Sequence, residues 1–230
     1  MKIVRSILSF FYTQLIYVGL PLLGWGLDDL PGFFSFPQLV GYALSISGFG
    51  LLAGYLIQRP GGMGNRLGKG QEGKFVPRQR MVRLLVTGML FGALIFVPFA
   101  DRRSLGVMTD SPAMRWTGLI FATLGMGLIF WSGMALGRLY SPEVTLQEEH
   151  HLITNGPYRL IRHPRYLGGM IQGIGLSLLF RSWIGLGLTL VFVIIILFRI
   201  MDEETLMSKE FGETWESYRK KSWRLVPFVF

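Results

Sequence analysis

Long apolar stretches constrain this chain more than any other feature of its sequence. Half of its 230 residues are hydrophobic, 16% are charged, and the mean hydropathy is +0.43, which lies outside the range of ordinary soluble domains. A helix needs about 20 apolar residues to cross the hydrocarbon core of a bilayer. The sequence therefore predicts an all-α fold, a polytopic integral membrane helical bundle of about six spans.

The last two predicted spans form a hairpin. The six candidate stretches cover residues 7–27, 38–57, 83–100, 116–136, 166–180 and 183–201. Only Arg181 and Ser182 separate the final two, which predicts a tight turn. Beyond them, Phe211, Trp215 and Tyr218 recur at helical spacing among charged residues. This pattern predicts a C-terminal helix on the cytoplasmic membrane surface or against the protein, where it could serve as a lid.

The distribution of charge predicts the topology. Loop 28–37 contains two acids and no Lys or Arg, whereas Lys and Arg are concentrated in loop 58–82, opposed by Glu72 alone. Loop 58–82 and both termini are therefore predicted in the cytoplasm. Two arginines in loop 101–111 oppose this assignment, although two aspartates there partly offset them. The formal charge of +9 indicates anionic membrane lipids as partners, not nucleic acid.

Residue types exclude some chemistry and predict close helix packing. The chain has no cysteine and three histidines, two of them adjacent, which excludes disulfides and thiolate ligands and argues against a metal site. Pairs of glycines four residues apart predict helices in close contact, because small residues let backbones approach. These pairs are Gly50 and Gly54, Gly88 and Gly92, Gly133 and Gly137, and Gly169 and Gly173.

Turn formers, aromatic residues and titratable groups are concentrated at residues 150–168, here called the signature segment. Gly156 and Pro157 interrupt regular structure, and Pro164 is suited to the first position of a helix. His163 and Tyr166 would then flank a helix N-terminus, whose free N–H groups suit a carboxylate or a hydroxyl-rich ligand. Such a segment beside a membrane must be buried in protein or line a wet cavity. Chemistry is therefore predicted here.

Two charged residues end the last predicted span. Arg199 and Glu203 are one helical turn apart, so they share a face and can address two parts of one cavity. An ionisable residue within a span costs roughly 2.5–3.5 kcal/mol on insertion scales, which usually indicates a function. Alternatively, the two residues form a simple interfacial ion pair. Glu204, one step round the helix, is predicted to be a solvated acid or a general base.

Two blocks of sequence together resemble a known family. The first reads His-x-Leu-Ile-Thr-x-Gly-Pro-Tyr-Arg from His150, then Arg-His-Pro-x-Tyr-Leu-Gly from Arg162. The second contains Arg199 and the two glutamates after it, Phe-Gly-Glu from Phe211, Tyr218, and the sequence Arg-Leu-Val-Pro that ends at residue 227. This order and spacing resemble the isoprenylcysteine carboxyl methyltransferase and phospholipid methyltransferase superfamily, membrane enzymes that use S-adenosyl-L-methionine.

The resemblance implies roles for individual residues. It implies that Arg199 faces the methyl acceptor. His163 is a candidate general base if the acceptor is an amine or a phenol, with His150 and Glu204 as alternatives, whereas a carboxylate or thiolate acceptor needs no base. His163 could instead be a structural histidine that holds the turn. The cofactor contacts implied by the family are Gln147, His150, His151, Leu152, Ile153, Tyr158, His163, Pro164, Arg165, Tyr166 and Glu203.

The same resemblance implies the organisation of the chain. Residues 1–138 are predicted to form a four-span N-terminal membrane region, and residues 139–230 a methyltransferase core. The expected location is the plasma membrane of a prokaryote, with the active site on the cytoplasmic side. The expected methyl acceptor is a lipophilic small molecule or a lipidated group. An isoprenylcysteine-like carboxylate, a lipid amine, a phenol and a thiol all remain open.

Two other functional readings differ in class. Sterol reductases have a similar C-terminal core and bind a nicotinamide cofactor, but an acidic residue is common there where this chain has Gly169. Their last helix also lacks a pair of glutamates at the position of Glu203 and Glu204. A membrane scaffold or transporter subunit would leave the polar residues without a role, and the sequence has no inverted repeat typical of transporters.

Overall fold

The computed structural model describes residues 2–58, 77–136 and 152–228. Within these ranges the chain is helical apart from turns and two isolated β-bridges. The helices are α1 (Lys2–Gln14), α2 (Leu20–Trp25), α3 (Leu30–Phe34), α4 (Pro37–Gln58), α5 (Pro77–Arg102), α6 (Pro112–Leu136), α7 (Pro164–Leu179) and α8 (Trp183–Arg219). A π-helical turn, Leu15–Gly19, joins α1 to α2. The all-α prediction is confirmed.

Four of these helices begin at a proline. Proline suits the first helical position because its fixed φ matches a helix and its missing N–H would have no partner there. The prolines are Pro37, Pro77, Pro112 and Pro164. The sequence thus marks the starts of α4 to α7 directly.

Five helical segments in the described residues are long and apolar enough to cross a membrane. They are Ser6–Trp25, Pro37–Leu56, Met81–Arg102, Pro112–Leu136 and Trp183–Arg219. The sixth predicted span is α7, which has 16 residues and is therefore about 24 Å long, shorter than a hydrocarbon core of about 30 Å.

The predicted hairpin between α7 and α8 is present. Arg181 adopts a positive φ of 50° in the turn, and the Ser182 hydroxyl accepts a hydrogen bond from the Gly185 N–H at 3.0 Å, which caps α8. Helix α8 continues beyond residue 201, where the last predicted span ends, as far as a backbone break at Gly212 (φ 47°, ψ −120°). The turns after this break form a second helical segment that carries Trp215 and Tyr218, so the predicted C-terminal helix is present.

Glycines bring α6 and α7 into backbone contact along their length. A Cβ added to Gly118 or Gly125 of α6 would lie within 3 Å of α7 backbone atoms. The reverse holds for Gly168 and Gly175 of α7 against α6. This contact is what places the short helix α7 firmly in the bundle.

The glycine pairs predicted from spacing have mixed outcomes. Gly50 and Gly54 lie against α1, and Gly173 lies against Thr189 of α8, so close packing is confirmed there. Gly88 and Gly92 have no atom of the described residues within 4 Å of an added Cβ, and the prediction of close packing is wrong for that pair. Gly137 lies outside the described residues.

An ion pair and a cation–π contact hold the two arginines of loop 101–111. This loop lies at the end of the bundle that contains the α7–α8 turn, here called the hairpin end. Arg102 donates to both carboxylate oxygens of Asp28, at 2.8 and 2.5 Å. The guanidinium lowers the pKa of Asp28 to about 2. Arg103 lies over the Phe99 ring, with 3.9 Å from its guanidinium carbon to the ring centroid. The charge of Arg102 is therefore balanced by a carboxylate.

A buried carboxylate joins α5, α6 and the α7–α8 turn at the hairpin end. Asp101 of α5 is fully buried and accepts hydrogen bonds from Arg115 of α6 at 2.9 Å and from Arg181 of the turn at 2.7 Å. Arg115 also donates to the Leu179 carbonyl at 2.8 Å and to Asp110 at 2.9 Å. These bonds fix the hairpin to α5 and α6.

Candidate active site

A cavity of about 540 Å³ runs between α5, α7, α8 and residues 152–166, within the usual size range of small-molecule sites. One end is polar and lies at the start of α7, where Tyr158, His163 and Glu203 line it. The other end reaches the hairpin end, where Val97 and Phe180 line it. The cavity thus connects a polar site with the apolar interior of the membrane spans.

The start of α7 places two aromatic rings at the polar end. Pro164 begins the helix and leaves His163 in a non-helical conformation (φ −124°, ψ 54°) as its N-cap. The His163 and Tyr166 rings stack with centroids 5.8 Å apart and an angle of 19° between their planes. The prediction that His163 and Tyr166 flank a helix start is confirmed.

Arg199, Tyr166 and Glu203 form one hydrogen-bonded cluster in the cavity wall. The Arg199 Nε donates to the Tyr166 hydroxyl oxygen at 2.7 Å and to Glu203 Oε1 at 3.1 Å. The Tyr166 hydroxyl donates to the same Glu203 oxygen in a short bond. The Arg199 and Glu203 side chains are only 10% and 18% exposed. The predicted pair on one helical face is present, and Tyr166 completes it.

His163 lies between two glutamates. Its Nδ1 is 3.6 Å from Glu203 Oε2, and its Nε2 is 3.3 Å from Glu204 Oε1. One ring nitrogen faces Glu203 at the cavity, and the other faces the buried Glu204. A histidine in this position can carry a proton on either nitrogen, because each of them faces a carboxylate.

Glu204 is buried, and the prediction of a solvated acid is wrong. Its carboxylate accepts from Arg162 Nε at 2.8 Å and from Arg224 at 2.7 and 3.0 Å, in addition to its contact with His163. Glu204 follows Glu203 and so lies about 100° further round the helix axis. That rotation turns Glu204 away from the cavity toward residues 220–228, here called the C-terminal tail. Glu204 therefore has a structural role, because it binds Arg162 of the signature segment and Arg224 of the C-terminal tail.

The C-terminal tail extends alongside the signature segment. Backbone hydrogen bonds join Arg162 N to Trp223 O at 2.8 Å, His163 N to Arg224 O at 3.1 Å, and Trp223 N to Leu160 O at 3.0 Å. They form a parallel β-bridge between Ile161 and Trp223. The tail therefore holds the backbone that carries His163.

The last turns of α8 cover the polar end of the cavity. Trp215 is buried and lines the cavity together with Met207 and Tyr218. The Tyr218 hydroxyl donates to the Tyr158 carbonyl at 2.7 Å. The break at Gly212 allows this segment to fold back over the site.

The structure places most of the predicted site residues around the cavity. The residues that line it are Leu152, Ile153, Tyr158, His163, Arg165, Tyr166, Arg199 and Glu203. Pro164 is buried at the start of α7 and positions its neighbours. Gln147, His150 and His151 lie outside the described residues.

Three functional candidates were not predicted. Gln172 lines the cavity, and Arg162 and Arg224 bind Glu204. Trp215, which the sequence analysis assigned to the C-terminal helix, also lines the cavity. Arg162 stands inside the signature segment, so its position was a usable signal. Gln172 was also a usable signal, because an amide within a predicted span has to find a hydrogen-bond partner.

The comparison with known families agrees with this geometry. The family model described as "Phospholipid methyltransferase" matches residues 113–214. A "Probable protein-S-isoprenylcysteine O-methyltransferase" of Oryza sativa subsp. indica is 29% identical over 119 residues, 50% of this chain and 62% of that protein. Over these residues the chain is similar to members of the isoprenylcysteine and phospholipid methyltransferase superfamily.

Two more comparisons define the extent of this relationship. A "Protein-S-isoprenylcysteine O-methyltransferase" of Schizosaccharomyces pombe is 31% identical over 119 residues, 49% of each chain. The chain thus spans 49–62% of the length of these curated superfamily members. A solved structure of the eukaryotic intramembrane Ras methyltransferase ICMT superposes with a TM-score of 0.52 at 17% identity, covering 98% of this chain and 83% of the other. The prediction of an integral membrane helical fold is confirmed.

Proposed function

We propose that the protein transfers the methyl group of S-adenosyl-L-methionine to a lipophilic acceptor dissolved in the membrane. The observation that carries the proposal is one cavity with the Arg199, Tyr166 and Glu203 cluster at its polar end and apolar helices along the rest. A polar cofactor and an apolar acceptor need different environments, and this cavity offers both. The family match supports the same reaction class.

The residues at the polar end fit a zwitterionic nucleoside cofactor. Glu203 provides a carboxylate for an amino group, and Trp215 and Tyr158 provide aromatic surface for a purine ring. Leu152 and Ile153 add apolar surface to the cavity wall. The cavity volume of about 540 Å³ lies within the usual range of small-molecule sites. When bound, the cofactor supplies an electrophilic methyl group attached to a sulfonium.

Arg199 and Glu203 divide the positioning of the two ligands. A carboxylate pressed on the sulfonium would stabilise the ground state more than the transition state, so Glu203 holds the amino group or ribose. Arg199 orients a polar group of the acceptor, and well-oriented reactants can supply up to about 7–11 kcal/mol of the barrier. Tyr166 keeps both side chains in register through its hydroxyl.

His163 completes the site when the acceptor carries a proton. A carboxylate or thiolate acceptor needs no base, whereas an amine or a phenol must lose a proton to one. His163 would take that proton at a ring nitrogen, with Glu203 and Glu204 stabilising the resulting cation. Glu204 is occupied by two arginines and has a supporting role.

The proposed location of the site is the cytoplasmic side of a prokaryotic plasma membrane. The basic loop 58–82 supports this orientation. Residues 1–138 would form the membrane region that shapes the acceptor side, and residues 139–230 the methyltransferase core. Arg83 and Val86 of α5 line the cavity, which supports a contribution of the first region to acceptor binding.

Two substitutions separate binding from chemistry. Glu203→Gln should lower cofactor affinity about ten- to hundredfold, the value of a charge-assisted hydrogen bond. Arg199→Ala should leave cofactor affinity nearly intact while single-turnover methyl transfer collapses. Glu213→Gln, an exposed acid of the same helix, is the matched control and should change neither. Calorimetry and single-turnover assays on protein extracted in the same detergent measure both quantities.

Other results would contradict these assignments. If both variants lose several kcal/mol of stability together and folded Glu203→Gln keeps its cofactor affinity, the two residues are a structural ion pair. If the protein binds a reduced nicotinamide cofactor and not S-adenosyl-L-methionine, the reaction class is wrong.

A further inference from the structure

One face of α7 forms a continuous wall of the cavity. Gly169, Gln172, Gly173 and Leu176 recur at helical spacing and all line it. Three of these four residues have small or apolar side chains. Gln172 is the exception, a polar side chain in an otherwise small and apolar part of the cavity wall.

The side-chain nitrogen of Gln172 has no hydrogen-bond partner among the described residues. The residue is only 5% exposed, and its side-chain nitrogen makes no hydrogen bond with any part of the chain that the structure describes. A buried amide donor without an acceptor is costly, and native structures rarely leave one unsatisfied. An amide nitrogen needs an acceptor whichever way the group is turned. A molecule bound in the cavity that Gln172 lines can supply this acceptor.

Neighbouring polar side chains do not create the same need. The Ser177 hydroxyl donates to the Gly173 carbonyl at 2.7 Å, and the Thr189 hydroxyl donates to the Gly185 carbonyl at 2.9 Å. Gln14 and Tyr42 also have an unpartnered buried atom in the described residues, but neither lines the cavity. The unsatisfied donor of Gln172 thus differs from these groups by its place in the cavity wall.

We propose that Gln172 selects acceptors whose apolar portion carries a hydrogen-bond acceptor oxygen, an ether, ester or ketone, over acceptors with a plain hydrocarbon chain. The inference rests on the proposed function, because it concerns the acceptor of that same reaction. Gln172 lies six residues beyond Tyr166 on α7, which corresponds to about 9 Å along the helix axis. The oxygen is therefore expected about 9 Å along the axis of α7 from the level of Tyr166, next to which Arg199 orients the reacting group.

A pair of matched amphiphiles tests the inference. One is an N-acylated cysteine with an unbroken long-chain thioether, and the other has an ether oxygen in place of the methylene about 9 Å from its carboxylate. Equilibrium binding of both to the protein in nanodiscs gives an affinity ratio that is compared between variants, so that the different water solubilities of the amphiphiles cancel.

The ratio of ether to methylene affinity should be about two- to tenfold higher in wild type than in Gln172→Leu, the value of one neutral hydrogen bond. Gln14→Leu removes a buried amide away from the cavity and should keep the wild-type ratio. Equal ratios in wild type and Gln172→Leu, or an equal loss in Gln14→Leu, would overturn the inference. Tighter binding of the methylene compound than of the ether compound by the wild-type protein, after correction for solubility, would also overturn the inference.

Methyl transfer measured on the same samples separates the two proposals. If both amphiphiles are methylated but the ether-to-methylene affinity ratio is the same in wild type and Gln172→Leu, the methyltransferase function is supported and the proposed role of Gln172 is contradicted. A Gln172-dependent ratio without transfer to either compound supports the acceptor site and contradicts the proposed reaction.

Discussion

Replacing Glu204 with glutamine should release the C-terminal tail from the signature segment. The substitution keeps the shape of the side chain and removes the charge that Arg162 and Arg224 share. Breaking a buried ion pair costs about 3–5 kcal/mol. Arg224 keeps 29% of its side chain exposed, so the low end of this range, about 3 kcal/mol, applies here.

Hydrogen exchange measures this loss where it occurs. The backbone amides of Arg162, His163 and Trp223 form the hydrogen bonds between the tail and the signature segment. A loss of about 3 kcal/mol raises the open population by roughly two orders of magnitude, so their protection should fall by up to that factor. Amides in the middle of α6 should exchange as in wild type.

Glu216→Gln provides the matched control on the same helix. Glu216 pairs with Arg219 at 3.1 Å, but the two side chains are 40% and 50% exposed, and such surface pairs contribute about 0–1 kcal/mol. Its effect on tail protection should therefore be small. Unchanged exchange at Arg162 and Trp223 in folded Glu204→Gln protein would refute the assignment of Glu204 as the residue that holds the tail.

The remaining predictions concern packing, pH and topology. Gly125→Ala should destabilise the α6 and α7 contact by about 1–3 kcal/mol, whereas Gly88→Ala should be neutral or stabilising by up to about 1 kcal/mol; thermal unfolding in detergent compares them. The pKa of Asp28 is lowered from 3.8 to about 2, so its ion pair stabilises the fold above about pH 4 and loses this effect as pH falls through about 2. The difference in Tm between wild type and Asp28→Asn should shrink over that interval. Because the chain has no cysteine, an impermeant maleimide should label Gly70→Cys, outside the described residues, only from the cytoplasmic side and Leu105→Cys only from the other.

The sequence contains direct signals for most of the fold. Apolar stretches predict the membrane helices. The proline at position 164 predicts that α7 begins directly after His163. The pair Arg199 and Glu203 is predictable because four residues bring two side chains to one face of a helix. Each of these features is predictable because it depends on residues that are close together in the sequence.

The contacts that were not predicted depend on segments distant in sequence. Nothing near Glu204 indicates that Arg162, 42 positions earlier, will meet it, since this requires the tail to fold back. The glycines of the α6 and α7 contact are another case. Gly118 and Gly125 are seven residues apart, two helical turns, and so are Gly168 and Gly175, so a search for spacings of four misses them.

The shared carboxylate of Asp101 has a consequence for biosynthesis. The ribosome releases α5 and α6 before the hairpin, so a nascent chain at that stage has Arg115 as the partner of Asp101 and lacks Arg181. A desolvated carboxylate is costly when one of its cationic partners is missing. Asp101 therefore gains its second cationic partner only when the turn that carries Arg181 packs against α5 and α6. The full stabilisation of this buried carboxylate thus depends on the arrival of the last two helices.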